Sequence, residues 1–301
     1  MKFSIKLNMI NKNSLTEVPF QKIKNEQIEF QILDMQKLLK VTTIYEHLES
    51  PHRLKFNSIF LITKGEGSHS IDFKTYNYKK GTVLFIAKNQ VTSFTLNPDM
   101  NCYMIEFTDD FFNRLLKSSI YDIFDYMRYS ALLQLDDKSL ESILINIQLL
   151  THQLETDVDE FKESIVQSLF QSLLLQLKRK RIEQVVPLKS KDEKIYYDFI
   201  QYMRSNHKYT MRVEYYARQL DISSKTLTRI LNKYTNKSTK NYLDEHLLLE
   251  IKRYLLDDNI TLQEIANKLD FDEITNLIKF FKKFEKMTPS EFKKHHQNKI
   301  S

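Results

Sequence analysis

Two short stretches of this chain, fifty residues apart, carry side chains that could read a polyanion. In the first, Ser224, Lys225, Thr228 and Arg229 lie outward of a helical apolar face made of Leu227, Ile230 and Leu231, and Lys233 follows. In the second, Glu273, Thr275, Asn276, Ile278 and Lys279 lie outward of Ile274, Leu277 and Phe281, followed by Lys282, Lys283 and Lys286. Arg and Asn hydrogen-bond to base edges in a DNA major groove, apolar groups touch a thymine methyl, and lysine ammonium groups neutralise phosphates. One such helix alone reads equally well as the solvated face of a bundle. Two in register point to double-stranded DNA.

The elements that must hold these side chains are also repeated. ARQLDIS (217–223) recurs as ANKLDFD (266–272), and LTRILNKY (227–234) recurs as LIKFFKKF (277–284). A helix-turn-helix needs a small residue where its second helix crosses the first, and an apolar residue before the turn. Ala217 and Ala266 suit the crossings, and Leu220 and Leu269 the positions before the turns. Asp221-Ile222-Ser223 and Asp270-Phe271-Asp272 are the expected turns, with Ser223 and Asp272 as N-caps. The two units span about 211–234 and 261–284, joined by a helix from about Thr239 to Leu256.

TLQEIANKLDFDEITNLIKFFKKFEKMTPSEFKK (261–294) resembles the signature of the AraC/XylS family of transcription regulators, with Phe281-Lys282-Lys283 and Thr288-Pro289-Ser290-Glu291-Phe292 at the family's spacing. NYLDEHLLLEIKRYLL (241–256) resembles that family's long connecting helix. The resemblance implies promoter DNA as a partner and leaves open RNA polymerase, a small-molecule effector and a homodimer. The chain departs from the pattern at Asp270, Asn236 and Lys286, where the family carries Gly, and at Leu247 and Ile251 on the connecting helix.

Upstream, residues from about Phe30 to Phe107 form short apolar runs broken by Gly, Asn and Pro, the pattern of a β-sandwich or barrel. GEGSHSIDF (65–73) and YKKGTVLFIAKNQVTSF (78–94) resemble the family's cupin-like sensor. From Asp109 the period becomes helical, with Asp109 and Asp110 as expected caps. Leu140, Ile143, Leu144, Ile147, Leu150 and Leu154 make one apolar stripe, and Phe161, Ile165, Leu169, Phe170, Leu173 and Leu177 another. Each stripe suits packing on the strands, and part of one suits a dimer seam. KRKR (178–181) suits a helix C-terminus, and VVPLKS (185–190) a linker.

The fold class expected is therefore α+β. A cupin-like β-barrel with packed helices over 1–186 is linked to an all-α domain of two helix-turn-helix units over 187–301. If the barrel resembles the sensor, Phe60, Tyr78 and Phe94 would line an effector pocket, with His52, Arg53 and His69 as polar ends. The competing reading is a cupin-type binder or enzyme with an appended helical module. Against it, His69 in GSHSIDF has no second imidazole at a metal-ligand spacing, and His47 and His52 precede the strands. No metal, cofactor or catalytic residue is expected, and Cys102 reads as a buried strand residue.

Composition narrows the classes further. Residues 187–301 carry 22 Lys and Arg against 16 Asp and Glu, whereas 1–186 carry 23 of each. Only the C-terminal part is basic, which suits a polyanion partner. Three glycines, Gly65, Gly67 and Gly81, cannot form GxGxxG or a P-loop, and GxSxG and HExxH are also missing. One cysteine excludes an internal disulfide. Asn8, Asn11, Lys12 and Asn13 interrupt any signal-like apolar core, and no apolar run is long enough for a bilayer. The expected compartment is the cytoplasm.

Overall fold

The computed structural model describes residues 15–21, 28–35, 49–95, 97, 99–115, 123–124, 130–183, 190–206, 212–257 and 259–297. The expected linker up to Lys189, His47 and the N-terminal segment through Asn13 lie outside them. The chain divides into two compact units, the first mainly Thr16–Val185 and the second mainly Val186–Ser301.

In the first unit the strands are β1 (Thr16–Val18), β2 (Phe30–Asp34), β3 (His52–Leu54), β4 (Asn57–Lys64), β5 (Gly67–Ile71), β6 (Lys74–Tyr78), β7 (Thr82–Ile86), β8 (Val91–Phe94), β9 (Asn101–Phe107) and β10 (Leu132–Gln134). They make two five-stranded sheets, β1-β3-β8-β5-β6 and β10-β7-β4-β9-β2. All pairs are antiparallel except β1 with β3. The run Ile59-Phe60-Leu61-Ile62 is apolar without a break because both faces of its sheet are buried. Phe60, Ile62, Leu84, Ile86, Cys102 and Met104 face inward against Leu54, Ile71, Tyr78 and Phe94 of the other sheet. Ile59, Leu61, Val83, Phe85, Ile105 and Phe107 form the opposite face, shared with three helices.

Those helices are α1 (Asp109–Asn113), α2 (Asp137–Glu155) and α3 (Lys162–Ile182). Leu140, Ile143, Ile147 and Leu150 of α2 and Val166, Phe170, Leu173 and Leu177 of α3 cover the sheet, as their 3.6-residue spacing dictates. Phe161 and Ile165, expected on that stripe, are exposed instead, as are Ile145 and Leu149. Two local expectations are corrected, while the KRKR cluster holds its expected place at the C-terminal end of α3. Thr108, rather than Asp109 or Asp110, caps α1, because its hydroxyl accepts from Phe111 N at 3.2 Å. β10 interrupts the helical region and pairs with β7. The KRKR cluster is partly interior: Arg181 donates to the carbonyls of Ile123 and Ser130 and lies 3.8 Å over the Phe85 ring. A guanidinium with both ends on carbonyls and an aromatic face beneath it meets the requirements for burying a charge.

The second unit is helical: α4 (Ser190–Asn206), α5 (Val213–Gln219), α6 (Ser224–Thr235), α7 (Thr239–Leu255), α8 (Leu262–Lys268), α9 (Ile274–Glu285) and α10 (Pro289–Gln297). Helix α7 is the connecting helix. It buries Tyr242, Leu243, Leu247, Ile251 and Leu255, and touches α6 on one side and α8, α9 and α10 on the other. Helix α4 covers the first helix pair, with Phe199 5.4 Å from Tyr216 and 5.9 Å from Tyr242 between ring centroids. Helix α10 covers the second, where Phe292 lies edge-on 5.4 Å from Phe281.

Candidate nucleic-acid interface

The two helix pairs, α5–α6 and α8–α9, are built by the same local physics. Ala217 and Ala266 are fully buried, leaving room for the crossing helix. After Leu220 and Leu269 come Asp221 and Asp270, with φ of 52° and 56°. This left-handed bend costs less for Asp than for most residues, because its short polar side chain can bond locally. The bend lets Ile222 N donate to Ala217 O at 3.0 Å and Phe271 N to Ala266 O at 2.9 Å, closing both helix ends identically. The family's glycine thus has an Asp in its place here, in the conformation a glycine would take.

The second helices begin differently. Ser223 caps α6, accepting from Thr226 N at 3.0 Å. Asp272, expected to do the same for α9, does not: Glu273 occupies the cap position without capping, and its carboxylate accepts from the Thr275 hydroxyl at 2.8 Å. At the far ends, Asn236 (φ 55°) and Lys286 (φ 60°) both take the left-handed conformation. Beyond α9, Thr288 and Glu291 bond reciprocally, Glu291 N to Thr288 Oγ1 at 3.2 Å and Thr288 N to Glu291 Oε2 at 2.6 Å. The Thr-Pro-Ser-Glu-Phe run is therefore a capping box with Pro at the first helical position and Phe as the core anchor.

On α9, Thr275, Asn276, Lys279, Lys282 and Lys283 are all exposed, with Glu273 at its start. None of the three lysines makes an ion pair among the described residues. Of the residues assigned on α6, Lys225 and Arg229 are exposed, while Ser224, Thr228 and Lys233 are half-buried. The Thr228 hydroxyl lies 3.2 Å from that of Thr239. Arg229 and Lys233 both reach Asp192 on α4, at 3.1 and 3.5 Å. The sequence reading missed Asp192, for which the sequence has no local signal, since 37 residues separate it from Arg229.

In the β unit, Phe60, His69, Tyr78 and Phe94 form one aromatic cluster. The His69 ring lies 5.2 Å from Phe60 and 4.8 Å from Phe94, and Tyr78 stacks on Phe94 at 5.6 Å. His69 hydrogen-bonds to the Thr92 hydroxyl, and burial pushes its pKa down to about 3, so the ring is neutral at pH 7. His52, whose Nδ1 lies 2.9 Å from Ser50 O, sits beside Thr92 on the neighbouring strand. Strand alternation turns Arg53 to the face opposite His52 and Leu54. The reading also missed a polar ladder row on the inner face, Gln31–Glu106–Ser58. Glu106 accepts from Gln31 Nε2 at 2.7 Å, and burial raises its carboxyl pKa to about 7. Burial pushes the Cys102 thiol far above its usual range, so it stays a protonated core residue.

Two family models match the chain in series: an AraC-like ligand binding domain over residues 41–177 and a helix-turn-helix domain over 216–295. The chain belongs to the AraC family. Among relatives of the AraC-family chain, the Msm operon regulatory protein of Streptococcus mutans serotype c is 33% identical over 99 residues. That match covers 32% of the chain and 34% of the relative, so the chain spans about a third of its length. ToxT from Vibrio cholerae is similar at 13% identity with a TM-score of 0.43, covering 88% of the chain and 98% of ToxT. The C-terminal domain of the response regulator yesN from Fusobacterium nucleatum is similar at 23% identity and a TM-score of 0.30, covering 35% of the chain and 99% of that domain. In this family the helix-turn-helix module binds DNA and the preceding domain binds a ligand.

Proposed function

We propose that this AraC-family chain is a sequence-specific transcription regulator that places α6 and α9 in successive major grooves and takes a small-molecule effector in its β unit. The observation that carries the reading is the pair of matched turns, each launching a helix with a polar outward face, on one rigid connector. Helix α7 has 17 residues and so spans about 25 Å, while grooves on one side of B-DNA recur every ~34 Å. The thickness of the two units accounts for the difference. Lys225, Thr228, Arg229, Thr275 and Asn276 are assigned to base edges, with Ser224, Glu273 and Lys279 at the groove margin. Lys233, Lys282 and Lys283 are assigned to phosphates.

The effector is assigned to the inner face of the β-sandwich, between the His52–His69–Phe60–Phe94–Tyr78 cluster and the Glu106 row, where apolar walls meet a few fixed polar groups. The exposed Ile145, Leu149, Phe161 and Ile165 support a homodimer seam on α2 and α3. Contact with RNA polymerase rests on the family resemblance alone. No helix among the described residues is long and apolar enough to cross a membrane; the cytoplasmic location and the lack of catalytic activity are proposed from the family resemblance.

The test is DNA binding by the full chain across a salt series, using the region upstream of its own gene and a mixed-sequence duplex. Affinity is expected to fall steeply with salt, because each neutralised phosphate releases counterions. Salt-insensitive binding, or none at low salt, would sink the reading.

A further inference from the structure

The two cations of α6 that would meet DNA are already held by a carboxylate of the same unit. Asp192 lies in the first turn of α4, and its side chain is only 16% exposed. Its Oδ1 accepts from Arg229 Nη2 at 3.1 Å and its Oδ2 from Nη1 at 3.3 Å. The same Oδ2 lies 3.5 Å from Lys233 Nζ and 3.5 Å from the Tyr234 hydroxyl. These contacts, Arg229 first among them, hold the Asp192 carboxyl below its ordinary pKa, so it is charged at neutral pH.

The geometry of that fork matters. A carboxylate offers arginine two acceptors side by side, as do O6 and N7 of guanine. A phosphate attracts the same guanidinium anywhere along a duplex, without regard to sequence. The Arg229 side chain is 57% exposed, so its pair with Asp192 is a surface one. Surface pairs shift equilibria by no more than roughly fivefold. Asp192 can therefore outcompete a lone phosphate and yet yield to a correctly placed guanine.

We infer that Asp192 is a specificity-determining residue: it occupies Arg229 and Lys233 on unselected DNA and releases them only where a two-acceptor base edge replaces it. This rests on the proposed role of α6 in base reading. Helix α9 has no equivalent among the described residues, since none of Lys279, Lys282 and Lys283 forms a direct ion pair there, Lys282 having only a longer-range attraction to Glu291.

The test uses full-length Asp192→Asn beside Asp198→Asn, which removes the same charge from an exposed position on α4. Each is titrated with a mixed-sequence duplex and with a duplex selected by the wild-type chain from a random pool. Asp192→Asn is expected to tighten mixed-sequence binding about two- to fivefold, and to steepen the log K against log salt slope by about 1 as Lys233 gains a phosphate. Affinity for the selected duplex should change less than twofold, so discrimination falls. Adding Arg229→Ala to Asp192→Asn should remove most of the gain. Equal changes on both duplexes, changes matching Asp198→Asn, or weaker binding throughout would each overturn the inference. A wild-type chain that binds neither duplex in a salt-dependent way would instead sink the DNA-binding reading, so the two failures are distinguishable.

Discussion

The two helix-turn-helix units share a backbone plan but sit in opposite electrostatic settings. Both bend at a left-handed Asp, and both cross at a buried alanine. The first recognition helix, α6, lies under α4, which brings Asp192 onto Arg229 and Lys233. The second, α9, is covered by α10 on its apolar side and leaves Lys279, Lys282 and Lys283 open to solvent. Identical turn physics therefore does not imply identical work. An open lysine face suits a sequence-independent grip, while a tethered arginine suits selection.

The strongest way to break this comparison is to uncouple the units. Leu249 sits in the middle of α7, away from the proposed base contacts. Leu249→Pro should cost ~3 kcal/mol or more by removing a helix hydrogen bond and clashing with the preceding turn. The expected footprint loses one of two half-sites set about one turn apart. An unchanged footprint and affinity would show that α7 does not hold the units in register.

The next test separates grip from selection. Lys282→Ala should weaken binding to all duplexes alike and make the salt slope shallower by about 0.9. Arg229→Ala or Asn276→Ala should instead weaken the selected site roughly 5- to 150-fold and relax preference at particular base pairs. Equal losses on selected and mixed DNA for all three variants would contradict the assigned faces.

Stability offers a smaller contrast at the helix ends. Both Asn236 and Lys286 are left-handed, but Asn tolerates that conformation and Lys does not. Lys286→Gly should raise unfolding stability by about 0.5–1 kcal/mol, even though it loses the bond from Lys286 Nζ to Lys283 O. Asn236→Gly should change it by no more than a few tenths of a kcal/mol. Denaturant midpoints measured without DNA would show the two variants behaving alike if the argument is wrong.

The smallest expected effect is the pH dependence of the Asp192 contribution in the first unit. The folded pKa of Asp192 lies below its ordinary 3.8, so its stabilisation is fully present above that value and is lost as pH falls through the folded pKa. The difference in melting temperature between wild type and Asp192→Asn should persist at pH 7 and shrink below about pH 4. A difference that grows on acidification would reverse the sign of the assigned interaction.

Much of the helical unit was legible because its determinants are local. Apolar spacing exposed the buried faces of α6, α7 and α9, and the repeated Ala and Leu marked the crossings. The Thr-Pro-Ser-Glu-Phe run has a reciprocal cap that needs only residues three apart. Legibility failed where two local candidates compete: Asp272 beside Glu273, and Asp109 beside Thr108, differ by one residue in where the helix starts. It failed also for β10, whose three residues have no alternation to read.

In the β unit, the short apolar runs of β4, β7 and β9, separated by turn residues, determined that short strands would build sheets, because both faces of that sheet are covered. It did not say which polar side chains meet inside. His69 beside Thr92, Gln31 beside Glu106 and Arg181 over Phe85 are set by strand register and helix packing across long stretches of chain. Asp192 is the clearest case. The sequence by itself determined that Arg229 would stand on the outer face of a helix, through the period of the apolar residues around it. Only the tertiary structure decided that a carboxylate would be waiting there, because that contact depends on how α4 lies across α6.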